Sequence, residues 1–326
     1  MSYSATLLVP SVYSNIQDAI DAANPGDEVL VDDGTYQENI LIEKDIILRS
    51  VNGADHTTID GSLGRGLGST VVIRPESLNP HKPIVEIDGF SIINGKGTNI
   101  INKTITLPDG THPIQRLGGG LLVYVNTPKV NNSKFLNNGD NSVDKGGAIF
   151  AVSDSEDGDF PVRDYQDSNQ LTPASGELDF SSNTFLNNKA NIGNSIYVQD
   201  SNMLTTNLSN NYYDVYNSNE DLVTEYWLKG NKTIFNISNG SGLEETIYGD
   251  IYVNPDPSFG SDENTGLSWS SPFLTIDRAL SLIYNDSTTN HTIYLSAGTF
   301  SPSENGEIFP INIFSNITIS GIGIEK

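Results

Sequence analysis

Apolar side chains recur with a helical period in two short stretches, one near each end of the chain. In both stretches they fall at positions i, i+3, i+4 and i+7, which places them on one face of a helix. They are Ile16, Ala19, Ile20 and Ala23 in the first stretch and Ile276, Ala279, Leu280 and Ile283 in the second. The pattern predicts amphipathic helices over residues 14–23 and 272–284. Ser14 and Gln17 match a capping box, and Thr275 can cap the second helix.

Each predicted helix leads into a similar series of short apolar strands. Residues 14–53 and 271–323 therefore repeat one opening segment, in which Gly34-Thr-Tyr corresponds to Gly298-Thr-Phe. The duplication predicts two domains. They are a module with an N-terminal cap over 1–248, and the cap helix and first coil of a second, truncated module over 249–326. Strands of the second module are expected near 251–253, 292–295, 309–313 and 317–323.

A shorter repeat lies between the two copies. The run beginning Gly118-Gly-Gly returns 28 residues later at Gly146 and, 47 residues after that, at Gly193. The longer spacing indicates an insertion of about 19 residues within 153–176. Short apolar strands at a period in the twenties are typical of a solenoid. The sequence therefore predicts an all-β right-handed parallel β-helix over about 28–213, capped by the first helix and followed by the start of a second similar module.

Asparagine and glycine mark the predicted corners of each coil, because both tolerate left-handed backbone dihedrals. Side chains at equivalent positions in adjacent coils lie about 4.8 Å apart and can bond to one another. Two runs of Phe-Leu-Asn-Asn thus predict that Phe135 and Phe185 stack inside the coil. They also predict a ladder of Asn137 and Asn138 over Asn187 and Asn188.

Several segments resemble a known family. Tyr13–Gly53, with its Pro25-Gly-Asp-Glu-Val-Leu-Val run, resembles the N-terminal cap and first coil of pectate-lyase-like right-handed parallel β-helix proteins. The Gly-Gly-x-apolar and Phe-Leu-Asn-Asn runs resemble the repeats of large bacterial adhesin-like cell-surface proteins, as do Ile251-Tyr-Val-Asn-Pro and Ser271-Pro-Phe-Leu-Thr-Ile. The resemblance implies the fold and leaves activity open, because lyases, esterases, hydrolases, epimerases and adhesins share this scaffold.

Composition adds a prediction of compartment. The 326 residues carry a formal net charge of −24, with 41 acidic and 17 basic side chains. Such a surface repels nucleic acid and anionic lipid and is common in secreted or cell-surface proteins. We therefore predict an extracellular or cell-surface location and no nucleic-acid partner. Cysteine is absent, which rules out disulfides and thiol chemistry.

The given sequence predicts neither a membrane span nor an export signal. No stretch approaches the roughly 18 apolar residues of a membrane span, and the N-terminal segment lacks the basic start of a signal peptide. We expect that the natural protein carries an export signal before this sequence, and that more β-helix follows Lys326.

Candidate metal ligands are few. The insert packs four carboxylates into Asp154–Asp159, and Asp262, Asn264 and Gly266 alternate as in a calcium loop. A solvated acidic loop explains the first set, and a turn entering the second cap helix explains the other. His56, His81, His112 and His291 have no zinc-ligand spacing. The sequence predicts no cofactor, with Ca²⁺ as the alternative.

The hypothesis that the protein is an enzyme depends on partial matches to catalytic motifs. Tyr165-Gln-Asp167 and Gly176-Glu-Leu-Asp179 look like parts of the two motifs that carry the catalytic carboxylates of pectin methylesterases. The eleven residues between the two aspartates are too few for the coil that should separate them, and the family's flanking residues and arginine motif are missing. A polysaccharide lyase needs a basic residue beside several aspartates. Arg74, Arg116 and Arg163 lie in no lyase motif.

The sequence thus favours a non-catalytic surface module, for adhesion or for binding a polysaccharide, a host or cell-surface glycan, or a protein. The alternative is a polysaccharide-active enzyme, either a lyase or a carbohydrate esterase similar to pectin methylesterases. Loops at 97–117 and 153–176 are predicted to project from the rigid wall and supply contacts. Residues 249–326 lack enough coils to bury their own strands, so we expect them to dock on the open end of the first module or on a second copy.

Overall fold

The structure is a computed structural model. It describes residues 4–63, 68–76, 81–101, 107, 109–111, 113–152, 176–191, 193–199, 204–213, 226–229, 235–236, 247–283, 290–307, 311, 313 and 316–321.

Three parallel sheets stack along the first part of the chain. Sheet A contains β1 (Thr6–Val9), β2 (Asp27–Val31), β5 (Ile46–Ser50), β8 (Val85–Asp88), β13 (Lys129–Asn131), β16 (Gly176–Asp179), β19 (Leu204–Asn207) and β22 (Phe235–Asn236). Sheet B contains β3 (Gly34–Tyr36), β6 (Thr57–Asp60), β9 (Ser91–Ile93), β14 (Lys134–Leu136), β17 (Thr184–Leu186) and β20 (Tyr212–Tyr213). Sheet C contains β4 (Ile40–Ile42), β7 (Val71–Ile73), β12 (Leu121–Tyr124), β15 (Ile149–Val152), β18 (Ile196–Gln199) and β21 (Tyr226–Lys229).

The order in which the chain visits these sheets defines the architecture. From β2 onward it passes repeatedly from sheet A to B to C, and every pair of neighbouring strands is parallel. This is a right-handed parallel β-helix, as the sequence predicts. Both predicted spacings recur in the register, because Leu121 pairs with Ile149 and Ile149 pairs with Ile196.

Aromatic rings stack through the core in the predicted way. Phe135 and Phe185 pair in register, and their ring centroids lie 5.2 Å apart at an angle of 8°. Tyr213 continues the stack at 4.9 Å from Phe185, at 9°. All three side chains are buried, so each coil supports the next through the same inward position.

The asparagine ladder is confirmed at one of its two positions. Buried Asn188 accepts hydrogen bonds at Oδ1 from the backbone N–H and the Nδ2 of Asn138, both at 3.1 Å. Asn137 and Asn187 instead occupy the corners at φ of 56° and 54°, with exposed side chains. That Asn137 and Asn187 bond to each other across the two coils stays a prediction.

The first cap helix, α1 (Ile16–Ala22), differs from the prediction at its start. Asn15, rather than Ser14, is the N-cap, and its Oδ1 accepts from the Asp18 N–H at 2.8 Å. The predicted capping box was wrong, because Gln17 bonds to both the N–H and the carbonyl of Leu41 in β4. Instead, the Glu38 carboxylate accepts from the first two N–H groups of the helix, at 2.8 and 2.9 Å.

Residues 247–321 repeat this opening. A three-stranded parallel sheet contains β23 (Ile251–Val253), β24 (His291–Leu295) and β25 (Ile317–Gly321). Helix α2 (Ile276–Leu282) has Thr275 as its N-cap, as predicted. It packs against β23 and also against β21, the last strand of sheet C, so a helix of the second segment lies at the end of the first β-helix. The strand predicted over 309–313 falls largely outside the described residues.

Several elements were not predicted, among them β21 and β22, which continue the β-helix beyond residue 213. The apolar run at the N terminus forms β1, which adds a parallel strand to the first coil. Within the predicted loop 97–117, β10 (Thr98–Ile101) and β11 (Ile114–Leu117) form an antiparallel hairpin. The hairpin strands have no equivalent in the neighbouring coils, which is why the repeat gave no signal for them.

Candidate functional site

The outer face of sheet A carries a row of mostly polar side chains. Alternate residues of β2, β5, β8, β13 and β16 point into the core, and the others point outward, as the pleat requires. One outward row follows the strand register through Glu28, Ile47, Glu86, Lys129, Asp179 and Asn207. Because the strands are parallel and in register, these side chains lie one above another along the axis of the β-helix.

Ion pairs connect side chains of the N-terminal coils on this face. Arg49 lies 3.3 Å from a Glu28 carboxylate oxygen and 3.7 Å from one of Glu86, and the Lys129 ammonium lies 3.8 Å from Glu86. All four side chains are partly exposed, so these pairs contribute little to stability.

Toward the C-terminal coils, the Asp179 carboxylate is the centre of a group of hydrogen-bonded side chains. We call Asp179, Asn131, Ser181 and Asn207 the Asp179 ladder. Asp179 Oδ1 accepts four hydrogen bonds, from Asn131 Nδ2 at 3.2 Å, Asn207 Nδ2 at 3.1 Å, and the Ser181 N–H and hydroxyl at 3.1 and 2.6 Å. Asn131 comes from the coil on one side and Asn207 from the coil on the other. One carboxylate oxygen thus ties three coils together.

The next coil repeats the same local geometry. Asn207 Oδ1 accepts from the Ser209 N–H at 3.1 Å and from its hydroxyl at 2.7 Å, as Asp179 does with Ser181. The Asn131 side chain also donates to the Ser181 carbonyl at 3.0 Å. The result is a rigid display of amide, hydroxyl and carboxylate groups at coil spacing.

Of the residues suggested for an esterase, the structure places one. Asp179 lies at the end of β16 on the outer face, whereas Asp167 lies outside the described residues, as does Arg163, which was considered for a lyase. The pairing of the two aspartates is therefore untested. The acidic insert Asp154–Asp159, proposed as a calcium ligand, also lies outside the described residues.

The second calcium-like segment is a turn, as favoured by the sequence. Asp262 Oδ1 accepts from the N–H groups of Leu274 and Thr275, both at 2.9 Å, and Asn264 Nδ2 donates to a backbone carbonyl at 2.7 Å. Gly266 has φ of +68°, and a Cβ there would meet the Phe273 ring at 2.2 Å. These residues shape the entry to α2.

The described arginines and histidines are scattered. Arg74 is buried and pairs with Glu43 at 2.8 Å, and Arg116, in β11, donates to the Ser142 hydroxyl at 2.7 Å. His81 Nε2 lies 2.7 Å from an Asp45 oxygen. His56 is exposed and His291 is buried in β24, while His112 lies outside the described residues. Among the described residues, no group of three or more His, Cys, Asp or Glu is placed to hold a metal ion.

Three carboxylates with a shifted pKa lie near the two cap helices. Burial raises the pKa of Glu307 and of Asp262, both beside the start of α2, although each accepts hydrogen bonds that act in the opposite direction. Backbone N–H donation from Ala5 and Asn24 lowers the pKa of Asp27 at the start of β2. These groups organise helix and strand ends.

Sequence reasoning missed most of the ladder. Asn131, Ser181 and Asn207 had no motif around them, and only Asp179 was singled out. A usable signal was present, because Asp179-x-Ser181 and Asn207-x-Ser209 occur 28 residues apart. Aligning the coils by the inward rings of Phe135, Phe185 and Tyr213 places Asp179 and Asn207 in one row and Asn131, Ser181 and Ser209 in the neighbouring one.

Fold and surface together define a right-handed parallel β-helix protein with a polar outer face. A family model described as a protein of unknown function (DUF1565) matches residues 258–326, the segment that contains α2, β24 and β25. No curated protein matches the sequence. In the described part of the chain, no helix combines the length and apolar character that a membrane crossing requires.

Three solved structures are similar in outline. A pectin methylesterase variant in complex with a hexasaccharide is 11% identical, with 76% of this chain and 92% of that chain covered and a TM-score of 0.30. A pectin methylesterase from Erwinia chrysanthemi is 10% identical, with 98% and 93% covered and a TM-score of 0.33. An alginate lyase from a Paenibacillus species is 10% identical, with 98% and 92% covered and a TM-score of 0.27. Identities and TM-scores this low do not indicate a shared function.

Proposed function

We propose that the protein is a non-catalytic, extracellular or cell-surface β-helix module that binds a glycan chain along the outer face of sheet A. The observation that carries this proposal is the Asp179 ladder, in which four donors hold one carboxylate oxygen and link three coils. Hydroxyl-rich ligands are recognised by fixed arrays of amide, hydroxyl and carboxylate groups. An extended chain lying along the β-helix axis can meet the same groups at each coil.

The hydrogen bonding of Asp179 supports a role in binding. Its Oδ1 accepts from Asn131, Asn207 and Ser181, and these bonds hold the carboxylate in one orientation. The other oxygen, Oδ2, is thereby positioned to accept from a ligand hydroxyl. These partners are amides and a hydroxyl, whereas a carboxylate nucleophile also needs an acid or base as its partner.

The alternative is a polysaccharide lyase or carbohydrate esterase centred on this face. It is favoured by the position of Asp179 on an outward row beside exposed Lys129, the arrangement of charges that such chemistry requires. Replacing Asp179 by asparagine separates the two functions, because asparagine keeps an acceptor oxygen for the ladder and removes the charge needed for catalysis.

The test combines binding and turnover on the purified chain. Pectin, alginate, chondroitin and neutral plant polysaccharides are screened for retardation in affinity gels, and for release of unsaturated ends or methanol. We expect binding without turnover, loss of that binding in Asp179→Ala, and its retention in Asp179→Asn with an unchanged melting temperature. Turnover that disappears in Asp179→Asn would establish the enzyme instead, and binding unaffected by Asp179→Ala would remove the ladder from the site.

A further inference from the structure

Three aromatic side chains form a cluster on the outer face of the sheet β23–β24–β25. Tyr252 and Tyr294 pair in register, and their rings stack with centroids 5.4 Å apart at 25°. The Trp269 ring lies edge-on to Tyr252, at 5.0 Å and 70°. Because Ile251 and Ile293 are the buried neighbours on these strands, the tyrosines point away from the core. We call this cluster the aromatic platform.

The aromatic platform is open to solvent, unlike the aromatic stack inside the first module. Trp269 is 41% exposed, and both tyrosines are partly exposed, whereas Phe135 and Phe185 are fully buried. In the described part of the chain, neither tyrosine hydroxyl nor the indole N–H has a hydrogen-bond partner within the protein. Three adjacent aromatic side chains with free donors are not needed to fill the core, and such exposed patches mark binding surfaces.

The chemistry of the aromatic platform suits a sugar ring. The face of an aromatic ring is electron-rich, and the C–H bonds on one face of a pyranose carry partial positive charge, so the two faces attract. Polar side chains border the rings. The outward residues of the same sheet include Thr292, Thr318 and Ser320, and Ser320 pairs directly with Tyr294. A pyranose can therefore stack on the tyrosines while its hydroxyls meet these groups.

The negative charge of this segment favours neutral over anionic glycans as ligands. Residues 247–321 contain one lysine or arginine, Arg278, against eight aspartates and glutamates. Arg278 is itself buried and donates to the Asp262 carbonyl at 3.1 Å. The exposed carboxylates of this segment, which include Asp250, Asp256, Glu263 and Glu304, make its surface negative, and a negative surface disfavours polyuronates and other anionic glycans.

We propose that the aromatic platform of Tyr252, Tyr294 and Trp269 binds an uncharged hexopyranose chain. This site deepens the proposed function, on which it rests only for the general class of ligand. It is formed by other residues and other strands than the Asp179 ladder, so variants of each surface report on that surface alone.

The full-length chain is tested in affinity gels containing hydroxyethyl cellulose or galactomannan as neutral probes, with polygalacturonate as the anionic probe. We expect a neutral probe to retard the protein, and Trp269→Ala or Tyr294→Ala to weaken this binding at least roughly tenfold. Tyr212→Ala is the matched control, since Tyr212 is also an exposed tyrosine on a strand but lies in sheet B. It should bind as the wild type does.

Tryptophan fluorescence gives a second readout of binding, because Trp269 lies within the proposed site. The chain has two tryptophans, and binding should shift the emission of the wild type but not of Trp269→Phe, which keeps an aromatic ring on Tyr252. No retardation by a neutral probe, equal binding in the platform variants and the control at equal melting temperature, or salt-sensitive binding confined to polygalacturonate would each overturn the proposal. Loss of binding in Asp179→Ala alone would support the ladder and contradict the platform.

Discussion

At the scale of single residues, the two ends of the chain use one device with different electrostatics. Glu38 and Glu307 each accept from the first two N–H groups of a cap helix, where the helix dipole favours a negative charge. Glu38 is partly exposed, whereas Glu307 is fully buried close to Asp277 and Asp262. Desolvation and the two neighbouring carboxylates therefore raise the pKa of Glu307.

The raised pKa makes the stability of the second segment depend on pH. Between the unfolded pKa of a glutamate, about 4.3, and the raised folded value, the folded state binds more protons than the unfolded state. The contribution of Glu307 to the free energy of unfolding is then fully present below that window and is lost as pH rises through the folded pKa. Denaturant unfolding across pH 4 to 8 should show this slope in the wild type and a smaller slope in Glu307→Gln. Equal slopes would contradict the assignment.

Asp27 should show the opposite sign at the other end of the chain. Hydrogen bonds from the N–H groups of Ala5 and Asn24 lower its pKa, so the folded state holds the carboxylate charged. Its contribution to stability is present above the unfolded pKa of an aspartate, about 3.9, and is lost as pH falls through the folded value. Asp27→Asn should therefore destabilise the first coil at pH 7 and flatten the acid limb of the unfolding curve. An unchanged acid limb in the variant would show that the two N–H contacts do not matter.

At the scale of elements, the sequence predicts the strands and core positions that recur from coil to coil. It does not predict elements that occur only once. Phe135, Phe185 and Asn188 could be placed because each position recurs at coil spacing, and stacking forces equivalent residues into contact. The β10–β11 hairpin could not, since it occurs once. The bonds that Glu38 and Glu307 make to the helices join residues about 20 to 30 positions apart, and local capping rules do not cover such partners.

The aromatic stack allows a quantitative test. Phe185 lies between Phe135 and Tyr213 and is fully buried, so Phe185→Ala leaves a cavity between two coils. Such a truncation costs about 3–5 kcal/mol of unfolding free energy. Leu186→Ala, at the next residue of β17 and only partly buried, is the control and should cost much less. Similar losses for the two variants, measured by denaturant unfolding, would mean that the stack is not what holds the coils in register.

The asparagine ladder tests the polar side of the same coils. Asn188 accepts twice from Asn138 and donates to the Phe135 carbonyl at 2.9 Å, all within the core. Asn188→Ala leaves these buried groups unpaired, at a cost of about 1–3 kcal/mol. Exposed Asn187→Ala is the matched control, although its left-handed φ of 54° adds a small strain with alanine. A lower cost for the buried position than for the exposed one would contradict the ladder.

At the scale of the whole molecule, we propose that residues 1–248 form one module and 249–326 the opening of a second. The described strands of the two parts belong to different sheets, which supports this division. Yet the buried side chains form one continuous cluster from Leu7 to Ile317, and α2 packs on β21. Stacked strands expose an unpaired edge and an apolar interior at each end unless something covers them. Helix α1 covers the beginning of the first module, and α2 takes the equivalent position at its end.

Removing the second segment should therefore harm the first. We expect residues 1–248 alone to melt at a lower temperature than the full chain, or to associate through the uncovered end, because α2 no longer shields β21 and its neighbours. Ala279→Asp in the full chain is the matched test without a deletion, since Ala279 is fully buried in α2 and an unpaired charge there opposes packing. Calorimetry and light scattering measure both effects. If residues 1–248 melt at an unchanged temperature and stay monomeric, α2 contacts the first module without stabilising it. The second module would then be independent of the first.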